Sequence, residues 1–415
     1  MPAGRFWQAA GALASLAAAA GLVAGASGCG GVSGAASTLS DQLTIYSSLP
    51  LQGSTAGVSR QIVDGEKLAL YDAGGRVGPF TVSYASQDDS DPASGKWDPG
   101  VTAADAKTAA DDPSTIAYLG DYNSAATAIS LPLINAAGIL QISPASPYVG
   151  LTSSLDAGED EPERFYLTGK RNFARLQPGD PKQAQAQVRL LKGLGIRRLY
   201  VLDDQNPFEV PLAEMVVTDA EEAGIQLAGH DSLDTTATTE FAGEAKKVAE
   251  SGAEAVFFAG ETGEGTLALW KQLYGVDPKL WLLGPNTLRD PEFTSAIGAA
   301  GARTLITDPI LPLSSYPASA QRVLGAYRRR FGEQPEAYAL FGYAAMAAAL
   351  EAIRDAGARG NDRQAVIDAL FAAGPRDSVI GRYAIEPDGE TTLSTYGVDR
   401  IVNGRPVFWR AVDAG

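Results

Sequence analysis

"TIAYLGDYNSAATAISLPLINAAGILQISPAS", Thr115 to Ser146, is the stretch whose reading decides the fold. It runs as a short apolar strand, a polar loop, a helix, a second apolar strand and a second polar loop. Two such strands joined by a helix pair in parallel, so GDYNSA and SPAS leave the same end of one sheet. The pattern extends in both directions. Upstream stand strand LTIYSS, helix GVSRQIVDGEKLALYDAG, strand FTVSYAS and helix VTAADAKTAA. A second series follows Pro178: helix PKQAQAQVRLLKGLG, strand RRLYVLDD, helix VPLAEMVVTDAEEAG, strand IQLAGHDSL, helix EFAGEAKKVAESG, strand AEAVFFAG, helix TLALWKQLYG and strand KLWLLGP. Later come strand RTLITDPI, helices over Pro317–Phe331 and Ala337–Ala356, a helix within ARGNDRQAVIDALFAAG, and strands near RYAIEPDG and TYGVDRIVNG. Strands and helices alternating in this way predict two parallel sheets covered by helices on both faces.

In doubly wound sheets ligands sit outside the carboxyl ends of the strands. GDYNSA and SPAS offer hydroxyls and free backbone N–H groups there, a chemistry suited to a carboxylate. The residues alone leave a second possibility open, that Ser124 merely caps its helix.

Length and charge narrow the classes. A chain of 415 residues exceeds one ordinary core and suits two lobes of about 150 to 200 residues each. Thirty-three basic against 49 acidic residues give a net charge of −16, a field that repels phosphate backbones and argues against nucleic-acid binding. The single cysteine permits no internal disulfide, so stability must come from the core.

That cysteine closes a distinct N-terminal segment. Residues 1–28 carry Arg5 and an Ala/Leu/Val stretch from Ala9 to Ala26, then reach Cys29, a secretory layout. Ala26-Ser27-Gly28-Cys29 resembles the lipobox of bacterial lipoproteins, with Ala26 where a leucine is usual. Lipidation at Cys29 is the expectation, with simple secretion as the alternative. Gly21, Gly25 and Gly28 interrupt the stretch, and no charge follows to stop transfer, which weakens a transmembrane reading. Residues 29–42, rich in Gly, Ser and Ala, read as a flexible tether.

Sites that would imply chemistry fail one by one. GETGEG, Gly260 to Gly265, follows a strand and opens a helix, but its spacing is not G-x-G-x-x-G, and Glu261 and Glu264 stand where a pyrophosphate would approach. No G-x-x-x-x-G-K-[ST], H-E-x-x-H or G-x-S-x-G occurs. His230 and Asp231 are neighbours on a strand and so point to opposite faces, which makes no dyad. The acidic run Gln87 to Gly100 lacks the ligand order of a calcium loop. YRRRF, Tyr327 to Phe331, closes a helix where cations complement the dipole. The expectation is a binding protein with no cofactor and no metal.

With these pieces in place, the chain resembles type I periplasmic solute-binding proteins, specifically the branched-chain amino-acid (Leu/Ile/Val) receptor family of ABC transporters. The resemblance spans about Leu43 to Phe408. It rests on LTIYSSLPLQGSTAG with DGEKLAL, IAYLGDYNSAAT, ISLPLINAAGILQISPAS, VFFAG, LLGPN and, most specifically, YRRRFGEQPEAYALFGYAAMAAALEAI. It implies two doubly wound parallel-sheet lobes joined by three crossovers, near Arg175–Gly179, Thr307–Ile310 and Gly381–Ile385, with the ligand in the cleft. Lobe 1 would comprise 43–176 and 310–382, and lobe 2 would comprise 177–309 and 383–415. By the same resemblance, Ser124 receives the ligand α-carboxylate, with Tyr122 and Asn123 beside it, and the Ala145 backbone serves the same end. Ser146 and Pro147 lie where the family has a threonine. The family's ammonium-binding acid falls on Asn286, a neutral amide, and Glu261 is the acid positioned to supply the missing charge. The implied function is capture of an amino acid, amide or small carboxylate for an ABC permease, outside the cytoplasm and anchored by lipid. A sensory receptor, or a secreted enzyme on the same scaffold, is the alternative.

Overall fold

The computed structural model describes residues 40–415. Cys29, the leader and nearly all of the proposed tether lie outside the described residues.

The first sheet is built from β1 (Gln42–Leu49), β2 (Arg76–Val77), β3 (Phe80–Asp88), β4 (Thr115–Leu119), β5 (Leu140–Ser143) and β6 (Phe173–Arg175), in the order β2-β3-β1-β4-β5-β6. All pairs are parallel except the β2/β3 edge. Helices α1 (Ala56–Asp72), α2 (Pro99–Asp111) and α3 (Ser124–Ala136) make its crossovers. The second sheet follows with α4 (Asp180–Leu194), β7 (Arg198–Asp203), α5 (Val210–Glu222), β8 (Gln226–Ser232), α6 (Ala242–Glu250), β9 (Ala255–Ala259), α7 (Glu264–Val276), β10 (Trp281–Gly284), α8 (Pro291–Ala296) and β11 (Thr304–Asp308). The chain then returns to the first lobe through α9 (Ala318–Phe331), α10 (Tyr338–Asp355), α11 (Arg363–Ala372) and the small ribbon β12 (Arg376–Ser378) and β13 (Gly381–Tyr383). It ends in the second sheet as β14 (Thr395–Val402) and β15 (Arg405–Asp413), giving the order β15-β14-β11-β10-β9-β7-β8.

The parallel parts share one topology: β3-β1-β4-β5-β6 in the first lobe and β8-β7-β9-β10-β11 in the second. Each sheet therefore has a switch point, between β1 and β4 and between β7 and β9, where loops diverge to opposite faces and leave a crevice. Every residue of β4, β5, β9 and β11 is buried. That explains why β4 and β9, TIAYL and AVFFA, read as near-continuous apolar runs rather than as alternating ones.

The returning segment completes the first core, where Leu340, Phe341, Ala344 and Ile353 of α10 pack with Ile45, Ile116 and Leu140. Helices α1 and α10 approach backbone to backbone. A Cβ on Gly65 would lie 2.1 Å from the Ala339 carbonyl oxygen, and one on Gly342 would lie 2.1 Å from that of Ile62. Two features depart from the sequence reading. Tyr383 and Ile385 still belong to the first core, and Leu393 packs on it. The third crossing is therefore completed between Leu393 and Thr395, beyond Gly381–Ile385. Strand β15 is not anticipated either, because it is an edge strand with Val407 and Phe408 exposed, and no buried face imposes a period of two.

Candidate functional site

The carboxyl-end loops of the two sheets meet. Tyr148, just after SPAS, packs edge-on against Phe208 from the loop after β7, with ring centroids 4.9 Å apart. Lys96 of the first lobe acts on Glu261 of the second, and Asp308 and Arg289 of the second act on Tyr122 of the first.

On the first wall, α3 begins without a side-chain cap. Asn123 occupies the cap position with extended backbone (φ −86°, ψ 138°), but its side chain makes no capping bond. Its Oδ1 is buried without a hydrogen-bond partner among the described residues. Ser124 Oγ accepts the Tyr148 N–H at 3.3 Å, which leaves the hydroxyl proton available. The ring of Tyr122 sits 6.0 Å from that of Tyr338, and burial raises its phenol to about 12.

The SPAS loop is differently employed. The N–H groups of Ala145 and Ser146 both donate to Ser143 Oγ, at 3.1 and 2.9 Å. The Ser146 hydroxyl is fully buried between Thr127 Oγ1 at 2.6 Å and the Asp121 carbonyl oxygen at 3.0 Å. In this conformation these groups brace the SPAS loop from behind, whereas Ser124 and the open α3 terminus offer donors. Beneath them lie two acids. Asp121 is held by Tyr118 and Ser130, yet burial raises its carboxyl to about 7. Asp89 is fully buried, and neither of its oxygens is hydrogen bonded among the described residues; burial, then Asp121, Asp105 and Asp88, raise it to about 8.

On the second wall, the Glu261 N–H donates to the Asp204 carboxylate at 2.8 Å. The exposed Glu261 carboxylate accepts only a long bond, 3.4 Å, from Asn206. Its pKa is raised, first by desolvation and then by Asp204. Asn286 opens the short 3-10 turn Asn286–Leu288 after β10, half-buried. Sequence reasoning overlooks Asp204 and Glu209, although both follow β7 at the second switch point, and position alone would have found them. It also overlooks Arg289, which pairs with Asp308 at 3.1 Å and Asp399 at 2.8 Å.

Behind the cleft, the first and third crossings are tied by Arg175. Its buried guanidinium donates to the carbonyl oxygens of Ser146 and Tyr148 at 2.8 and 2.9 Å and pairs with Glu390 at 2.6 Å.

The motifs set aside above have structural employment. Gly265 lies so close to another segment that a Cβ would be 2.0 Å from the Thr235 carbonyl oxygen, so packing requires it. Asp98 caps α2 by accepting from Gly100 and Val101, and Asp91 accepts from Ala93 and Ser94. His230 meets Asp203 on the adjacent strand at 3.3 Å, while Asp231 bonds Tyr200 and Lys247. Among the described residues no cluster of His, Cys, Asp and Glu is arranged to hold a metal ion, and no helix is long and apolar enough to cross a membrane.

Two doubly wound lobes of one topology, with a polar crevice at facing switch points, define a two-lobed solute-binding scaffold. The chain belongs to the periplasmic binding protein family, whose model matches residues 43–404. It has the type I fold, and its family is one of periplasmic, that is extracytoplasmic, binding proteins. Among curated relatives, Leu/Ile/Val-binding protein homolog 3 of Brucella melitensis is 24% identical over 379 residues, covering 90% of this chain and 95% of that one. Among solved structures, a leucine-binding protein of Thermotoga maritima matches with a TM-score of 0.72 at 20% identity, over 89% of this chain and 99% of its own. An ABC-transporter solute-binding protein from R. palustris, in complex with benzoate, matches with a TM-score of 0.67 at 16% identity, over 90% and 96%.

Proposed function

We propose that this chain is the receptor of an ABC importer. It captures an amino acid, or a related amide or carboxylate, by closure of its two lobes, and presents it to a permease. The observation that carries this reading is the open start of α3, where Asn123 leaves the terminus uncapped with its own Oδ1 unpartnered, and Ser124 keeps a donor to give. A helix N-terminus with free N–H groups and a hydroxyl donor is a carboxylate site. On the facing wall Glu261, rather than Asn286, takes the ammonium, since a neutral amide gives no charge-assisted bond. Lipid at Cys29 would keep the receptor at the membrane surface.

The test is a thermal-shift panel on the full chain with leucine, isoleucine, valine, glutamine, lysine, arginine and benzoate, because a ligand of the folded state raises its melting temperature. At least one should do so. Ser124→Ala removes a charge-assisted hydrogen bond and should weaken that ligand about 10- to 150-fold without unfolding the protein. If no compound shifts the melting temperature, the receptor reading fails; if Ser124→Ala leaves affinity within about twofold, the carboxylate is bound elsewhere.

A further inference from the structure

Behind the α3 terminus the fold leaves one acid unsatisfied at both oxygens. Asp89 is 0% exposed, and neither Oδ1 nor Oδ2 has a hydrogen-bond partner among the described residues. Its N–H donates to the Leu49 carbonyl oxygen at 3.4 Å, so the chain continues β3 beside β1 for one residue more. Side chains two apart on a strand share a face, which puts Asp89 with Gln87 and turns Asp88 away. Asp88 is engaged elsewhere, accepting the N–H groups of Leu51 and Ser90 at 2.9 and 3.1 Å and the Gln52 amide at 2.9 Å. Gln87 stands beside Ser48 in the β1/β3 register, and both donate to Asp105 of α2, the amide at 3.3 Å and the hydroxyl at 2.8 Å. That bond fixes which way the Gln87 amide points. Turning it round would set its oxygen against the Asp105 carboxylate, so Oε1 stays free, and it too is buried without a hydrogen-bond partner among the described residues.

Two carboxylate oxygens and an amide oxygen therefore share one buried face, all of them acceptors. Donors cannot come from the neighbouring hydroxyls: Ser48 gives its proton to Asp105, and Tyr118 and Ser130 give theirs to Asp121. The charges that act on Asp89 are Asp121, Asp105 and Asp88, with no cation among them. A buried carboxylate is costly unless it is paired or coordinates a metal. Among the described residues no three of His, Cys, Asp and Glu converge as metal ligands, so the oxygen set falls short of the several carboxylates that a calcium site uses. One free carboxylate with a neutral amide oxygen balances a single charge, and ligands that are all oxygen suit a hard cation. We propose that the Asp89 carboxylate and Gln87 Oε1 hold a monovalent cation, sodium, behind the start of α3. Next to it, Asp121 accepts the Ser143 and Ser146 hydroxyls on its carbonyl oxygen at 2.8 and 3.0 Å, so the ion neutralises the acidic ground on which the SPAS loop rests. This inference goes beyond the receptor reading and does not depend on it.

The experiment is a thermal melt of the full chain at about pH 8.5, where Asp89, raised to about 8 by burial, has largely lost its competing proton. About 200 mM sodium chloride is set against about 200 mM N-methylglucamine chloride, so that ionic strength is equal. Sodium should raise the melting temperature by about 2 °C or more, because an ion that binds only the folded state stabilises it. Asp89→Asn should abolish that rise, and Gln87→Leu should reduce it. In N-methylglucamine the Asp89→Asn variant should melt no lower than the parent, which separates loss of the ion from loss of the fold. Sodium NMR on the parent needs no variant: the protein should broaden the sodium line, and an unbroadened line overturns the inference. Equal melting in the two salts, or a sodium rise that survives Asp89→Asn, also overturns it. So does a larger rise from about 1 mM calcium chloride than from sodium, since the site would then be divalent.

Discussion

Glu390→Leu tests the tie that Arg175 makes between the third crossing and the SPAS loop most directly. Arg175 is fully buried and its charge partner is Glu390, at 2.6 Å and with a side chain 18% exposed. Removing the carboxylate strands a buried guanidinium, a defect worth about 3 to 5 kcal/mol when the partner is fully enclosed. The residual exposure of Glu390 places the expected loss near the lower bound, about 3 kcal/mol. Apolar replacement of both partners is often harmless, but here it should not be. In Arg175→Met/Glu390→Leu the carbonyl oxygens of Ser146 and Tyr148 lose their guanidinium donor, at about 1 to 3 kcal/mol for each buried group left unsatisfied. Urea denaturation followed by circular dichroism gives the stabilities, and a double-mutant cycle gives the coupling. Because Ser146 belongs to SPAS, Glu390→Leu should also weaken ligand binding from outside the cleft. A loss below about 1 kcal/mol for the single variant, or a double variant as stable as the parent, contradicts the role assigned to Arg175.

Stability should fall as pH rises. Asp89 and Glu66 are raised to about 8, and Asp121, Asp180 and Asp308 to about 7, in every case chiefly by burial. Each binds a proton in the folded chain that the unfolded chain has released, so stability declines from about pH 4 up to these values and then levels. Asp89→Asn should therefore raise the melting temperature at pH 8.5 and change it little at pH 4, and an equal effect at both values would show that Asp89 is not held protonated. Gly342→Ala drives a Cβ into the Ile62 carbonyl oxygen, 2.1 Å away; it should cost about 1 to 3 kcal/mol, and a melting temperature equal to that of the parent refutes the close α1/α10 approach.

Legibility in the sequence follows what each residue does locally. β4 and β9 are short apolar runs bounded by polar loops because they are covered on both faces, and such burial writes itself directly into composition. β15 is illegible because an edge strand with exposed Val407 and Phe408 imposes no pattern. In the cleft, the location of Ser124 is legible, since a polar loop after a parallel strand must lie at the carboxyl end. The engagement of Ser146 is not, because its partners Thr127 and Asp121 are brought to it only by the packing of α3 against β5.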